Sequence, residues 1–121
     1  MTLHIATLGY DEKFALRFFL RASVSESDEV LVIEPAGFRE DEKALQALEN
    51  LSSILKVHLG RLPVVHEVEY RSDPVAEIAK LELKIGEMAR DHDGIRACLS
   101  GGMRVLVVLT TVALSRLASR G

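Results

Sequence analysis

Ile95-Arg96-Ala97-Cys98-Leu99 runs into Ser100-Gly101-Gly102-Met103-Arg104, and these into a long apolar segment, Val105 to Leu117. That order predicts a short strand, a glycine turn and a helix. A helix N-terminus presents unpaired backbone N–H groups and the positive end of the helix dipole. Two adjacent glycines let an anion come close to those donors, and Arg104 adds a full positive charge. The stretch reads as a phosphate or other anion site at the carboxyl edge of a parallel sheet. The plainer alternative is that Arg104 is a solvated residue at a helix start.

The same alternation holds outward from that turn. Leu3 to Leu8 reads as a strand ended by Gly9. Asp11 is placed to cap a helix over Glu12 to Ala22, with Ala15, Phe18, Phe19 and Ala22 as its buried stripe. After a polar loop from Ser23 to Asp28, Val30 to Ile33 is continuously apolar, as suits a sheet covered on both faces. Pro35-Ala36-Gly37-Phe38 reads as a loop. Ala44, Leu48, Leu51 and Leu55 share one face of a helix over Asp41 to Leu59, stopped by Gly60. Val64 to Tyr70 alternates with charges on one side, the pattern of an edge strand. Asp73-Pro74 opens a helix with an acid at the cap and proline at the first position; Ile78, Leu81, Ile85 and Met88 form its face. The apolar run Val105 to Val112 satisfies a strand as well as a helix. As a helix it needs cover on two sides, the sheet on one and a second subunit on the other.

Strand and helix in strict alternation predict an α/β fold. It is a Rossmann-like doubly wound parallel sheet of order 3-2-1-4, with helices on both faces. The ligand crevice then lies between the first and fourth strands, where Gly9-Tyr10-Asp11 meets Ser100 to Arg104.

At 121 residues the chain is expected to be one domain. Its net charge of −3 argues against broad nucleic-acid binding, though not against a small anion in a local pocket. Aromatic residues are too few for an extended base-stacking platform. No apolar run spans a membrane and no secretory signal stands at Met1 to Leu8. The single cysteine, Cys98, reads as a small buried hydrophobe, and without a disulfide framework a cytoplasmic location is expected. His4, His58, His66 and His92 are dispersed, and Asp91-His92-Asp93 reads as a solvated helix end. No metal and no cofactor are predicted. Arg17 and Arg21 lie on the polar side of the first helix and read as solvated.

Thr7-Leu8-Gly9-Tyr10-Asp11, with Phe14 and the apolar helix after it, resembles the first motif of CARF domains, the CRISPR-associated Rossmann fold. Ser100-Gly101-Gly102-Met103-Arg104 resembles their second motif. The Gly-Met-Arg form is most similar to the ligand domain of archaeal CARF–winged-helix regulators, and Tyr70 to Ile78, with Asp73 at the strand-to-helix turn, also fits. The resemblance covers essentially all of residues 1–121. It implies a homodimer binding a cyclic oligoadenylate across its two-fold axis, chiefly the four-nucleotide ring, a messenger of type III CRISPR antiviral defence. The chain departs from the full-length regulators in lacking the winged-helix DNA reader and the later strands of the sheet. No winged-helix or nuclease effector domain is expected within residues 1–121, and direct DNA binding by them is not expected. Members that cleave the ring often carry a lysine in the second motif, where this chain has Met103-Arg104.

Two functions follow from the resemblance. A ligand domain with no attached effector suits a ring nuclease that works without a metal, the ribose 2′-OH attacking its own 3′ phosphate. Arg104 would meet the charge growing on phosphorus, and Tyr10 is the candidate proton donor. The other reading is a non-catalytic sensor domain of a CRISPR transcription regulator. Either way the ligand residues are expected among Gly9, Tyr10, Asp11, Phe38, Arg39, Ser72, Asp73, Ser100, Gly101, Gly102, Met103 and Arg104. Each has a plainer role beside it. Tyr10 can cover the first helix, Phe38 and Arg39 can form a surface loop, Asp73 can cap its helix, and Ser100 can cap the fourth.

Overall fold

Eight elements alternate along the chain in the computed structural model, which describes residues 1–22, 24–37 and 40–120. They are β1 (Thr2–Thr7), α1 (Lys13–Arg21), β2 (Glu29–Pro35), α2 (Glu42–Leu59), β3 (Val64–Val68), α3 (Pro74–Ala89), β4 (Gly94–Cys98) and α4 (Arg104–Ser119). The four strands form one sheet of order β3-β2-β1-β4, and every pairing is parallel. The predicted fold class and strand order are those observed. The sequence builds outward from β1 through β2 to β3, then returns to the other side of β1. That reversal places a topological switch point between β1 and β4.

The period-two alternation of the central strands sends side chains to two cores. Leu3, Ile5, Leu31 and Ile33 pack with Leu81 and Ile85 of α3 and Leu106 and Leu109 of α4. Ala6, Leu8, Val30 and Val32 pack with Ala15 and Phe19 of α1 and Leu48, Leu51 and Leu55 of α2. The continuous apolar runs of β1 and β2 follow from this, because both faces are covered.

Local chemistry sets most of the element ends. Asp41 accepts from the N–H groups of Lys43 and Ala44, and Asp73 accepts from that of Val75 ahead of its N1 proline. Gly60 ends α2 at φ 74°, with its N–H on the Lys56 carbonyl. Three ends differ from expectation. The cap position of α1 is Glu12, not Asp11, although Asp11 still accepts from the N–H of Lys13 at 2.9 Å. Pro35 belongs to β2, opposite Val68, rather than to the following loop. Helix α4 begins from Met103 with no side-chain cap, so Ser100 does not cap it.

The segment of ambiguous period, Val105 to Val112, is helical. It buries Leu106, Leu109, Thr110 and Ala113 and leaves Val105, Val108 and Val112 exposed. Glu82 of α3 clamps this helix, reaching Arg116 at 2.7 Å and Arg120 at 2.6 Å. Two further expectations are corrected. Cys98 is only half-buried, because β4 is an open edge with nothing packed beyond it among the described residues. His92 is not a solvated helix end: its side chain is 1% exposed, with Nδ1 at 2.6 Å from the Met88 carbonyl and Nε2 near Glu29.

At the amino edge of the sheet, Asp28 is the polar centre. Its carboxylate accepts from the N–H of Thr2 and of Ser25 and meets His4 Nε2 at 2.9 Å. The His4 ring stands edge-on to Phe18 and Phe19. Burial pushes the Asp28 carboxyl up, but the His4 hydrogen bond, then the Thr2 and Ser25 N–H groups, outweigh it and lower it from 3.8 to about 2. A carboxyl depressed in the folded state stabilises the fold above its unfolded value and loses that contribution as pH falls toward the folded value. Asp28→Ala is therefore expected to cost about 2–3 kcal/mol at neutral pH, by stranding buried donors. Chemical denaturation from pH 5 to pH 2 should show the parent losing stability over the window from about 4 to 2, and Asp28→Ala losing less of it.

Candidate functional site

The carboxyl end of β1 and the turn after β4 meet at the switch point. Gly9, Tyr10, Asp11 and Phe14 form one wall of a crevice of about 320 Å³; Ser100, Gly101, Gly102 and Met103 form the other. The expected meeting of Gly9-Tyr10-Asp11 with the glycine turn is thus observed. Tyr10 and Phe14 are more than half exposed at its mouth.

What holds the two walls together is backbone packed on backbone. A Cβ on Gly101 would stand 2.6 Å from the Thr7 carbonyl oxygen. One on Gly9 would stand 2.9 Å from the Gly102 Cα. Gly102 adopts φ +84° with the Leu8 carbonyl beside it, a conformation side chains resist. The Thr7 hydroxyl donates to the Gly101 carbonyl across the same junction. The glycines therefore do a job the sequence did not disclose: they let the turn sit directly on the end of β1.

The turn delivers the start of α4 to the crevice. With no side-chain cap, the first in-helix bond runs from the Val107 N–H to the Met103 carbonyl. The donors before it carry the positive end of the helix dipole. Arg104 is exposed in the first turn but does not line the crevice of a single chain. Asp11, engaged with the Lys13 N–H, sets the entry of α1.

The other candidates lie elsewhere. Ser72 and Asp73 follow β3, which is separated from β1 by β2, and the Asp73 carboxylate caps α3 at 3.0 Å from the Val75 N–H. Phe38 and Arg39 lie outside the described residues. Beside Ser72, Arg71 donates to the Tyr70 hydroxyl and lies over its ring at 5.2 Å. The loop that carries them is held by Glu77, whose buried carboxylate accepts from the Glu69 N–H at 2.7 Å and meets Lys80. The Lys80 bond keeps that carboxyl below the usual range despite burial. Among the described residues, no group of three or more His, Cys, Asp or Glu side chains could hold a metal ion.

Two substitutions separate the role of the junction from ordinary glycine loss. Gly101→Ala must displace the end of β1 and is expected to cost about 2–3 kcal/mol. Gly94→Ala, where a Cβ meets nothing within 4 Å, is expected to stay within about 0.5 kcal/mol of the parent. Urea unfolding midpoints of the two variants check this.

A family model described as the Csa3 CRISPR-associated Rossmann-like domain matches residues 2–120. No curated protein matches the chain. No described helix is long and apolar enough to cross a membrane. The family match spans nearly the whole sequence, and the parallel sheet of order 3-2-1-4 is Rossmann-like, as the family's description says. The chain belongs to the Csa3 CRISPR-associated Rossmann-like domain family.

Proposed function

We propose that the chain acts as a homodimer that binds a cyclic oligoadenylate messenger, the four-nucleotide ring, across its two-fold axis, and that it opens the ring without a metal. The observation that carries this reading is the crevice in which an uncapped helix start, a glycine turn and the Tyr10-Asp11 loop face one another. One such crevice is small for a ring with four phosphates. Two of them, related by symmetry, offer each half of the ring the same backbone donors and one Arg104. The dimer contact in this reading is the exposed stripe Val105, Val108 and Val112, at 36%, 57% and 37% exposure. It begins one residue after Arg104 and lies on one face of α4. A cytoplasmic site of action accompanies such a messenger.

Cleavage in this scheme is an internal displacement. The ribose 2′-OH gives its proton to solvent and bonds to the adjacent phosphorus, the P–O5′ bond breaks, and the O5′ oxygen takes a proton from a donor that solvent then reprotonates. The product ends in a 2′,3′-cyclic phosphate, and no water is consumed. The protein's part is to hold the 2′ oxygen in line and to stabilise charge on the phosphoryl oxygens. The helix start and Arg104 serve the second need. Arginine stays protonated and is a poor acid, so the O5′ proton falls to Tyr10. A non-catalytic sensor is the second reading. It is favoured by the turn itself, where Met103-Arg104 stands in place of the lysine that ring-cleaving members often carry.

Labelled cyclic tetra-adenylate incubated with the purified protein and a chelator reads binding and products together. The expected result is tight binding and slow conversion to linear products with a 2′,3′-cyclic end. Tight binding of an intact ring selects the sensor, and absence of binding overturns both readings. Arg104→Ala is expected to weaken ring affinity by about tenfold or more, the scale of a charge-assisted phosphate contact. In sedimentation, Val108→Asp is expected to shift the protein to monomer and to lose the ring with it.

A further inference from the structure

Beside the crevice, between α1 and β4, lies a second cleft of about 350 Å³. Phe14, Arg17, Phe18 and Arg21 of α1 line it, together with Arg96 of β4 and Ser100. Arg17 and Arg21 are four residues apart and so share a face of α1. Arg96 sits opposite His4 in the β1–β4 register, and His4 packs against Phe18 and Phe19. Arg96 therefore lies on the α1 side of the sheet, and three arginines line one concavity.

Among the described residues, no carboxylate lines this cleft. Among the described residues, none of the three arginines has an ion-pair or hydrogen-bond partner, whereas Arg61, Arg71, Arg116 and Arg120 each hold a carbonyl, a phenol or a carboxylate. Like charges four apart on a helix repel, and a third one facing them adds to the cost. A chain with 18 acidic residues and a net charge of −3 places none of them among the described residues that line this cleft. The arrangement is one that an incoming anion relieves. Guanidinium forks grip phosphate oxygens two at a time. Phe14, 52% exposed at the rim, adds a ring face on which a base can stack. An acidic peptide would satisfy the arginines and leave that ring unused, and a duplex hides the base faces that the ring would stack on.

We infer that this arginine cleft binds a linear single-stranded oligonucleotide, with Arg17, Arg21 and Arg96 on its phosphodiesters and Phe14 against a base. The cleft shares Phe14 and Ser100 with the crevice, but its cations are Arg17, Arg21 and Arg96 rather than the helix start and Arg104 that the ring reading uses.

Fluorescein-labelled hexa-uridylate, titrated with the protein across a salt series and read by anisotropy, tests this. Three phosphates neutralised on a single strand predict a slope of log K against log salt of about −2, from about −0.7 each. The double variant Arg17→Gln/Arg21→Gln should bind about tenfold or more weakly, with a slope near −0.7 for the one arginine left. Phe14→Leu should lower affinity a few-fold and leave the slope alone. Arg104→Gln should change neither, which separates this site from the start of α4. The inference is overturned if hexa-uridylate does not bind at low salt or if the double variant binds like the parent. It is also overturned if polyglutamate or a duplex of equal length competes as well as the single strand. Circular dichroism melting of each variant establishes that these surface changes leave the fold intact.

Discussion

The contact on which this structure turns is the seating of the Gly101-Gly102 backbone on the end of β1. No side chain intervenes between Gly101 and the Thr7 carbonyl, or between Gly9 and Gly102. Hydrophobic burial brings α4 against the sheet, but its register along the sheet is set at this junction. A side chain there would push the start of α4 away from Tyr10 and Asp11 and widen the crevice between them. Packing and site geometry are one constraint in this region. A glycine that serves a ligand and a glycine that serves a backbone contact are therefore not alternatives.

Much of the architecture was legible in the residues, and the reasons are specific. Asp73-Pro74 and Gly60 are strong local punctuation, and they end elements where they were expected to. The apolar runs of β1 and β2 announced a sheet covered on both faces, from which the parallel order followed. The ambiguous run Val105 to Val112 was not decidable locally. Its valines suit a strand, and only the core formed by Leu106, Leu109 and Ala113 makes it a helix. His92 was misread because its acidic neighbours are exposed while its ring tucks under Met88, a fact about tertiary direction rather than composition. Tyr10, Asp11 and the glycine turn meet at one crevice, as their order in the chain implies, because they follow neighbouring strands. Ser72 and Asp73 share the same edge of the sheet but end a strand that β2 separates from β1, a distance that sequence order conceals. Arg96 was passed over because a single arginine in a strand carries no signal until Arg17 and Arg21 stand beside it.

Charge is distributed by end and by side. The amino edge holds a carboxylate, Asp28, saturated with donors, and the packed α3–α4 pair is tied by Glu82 to two arginines. These are satisfied interactions, and their contribution is to stability. The start of α4 and the α1 side of β4 instead present positive groups with no ion-pair partner among the described residues. A modest net negative charge thus coexists with a locally positive margin, which steers small anions toward one edge while the remaining surface repels them.

The central place of β1 also has a consequence for how the molecule comes into being. Its neighbours are β2, next in sequence, and β4, whose approach brings Met1 and Asp93 together from 92 residues apart. A chain emerging from the ribosome can assemble β1, β2 and β3 with their helices while the fourth strand is still unmade. The crevice, needing both ends of that long loop, is among the last features to exist. Parallel pairing across such a separation is slow, because the closure entropy must be met before any contact rewards it. Until then one side of β1 is an unpaired edge, and the nascent domain is at its most vulnerable to wrong partners.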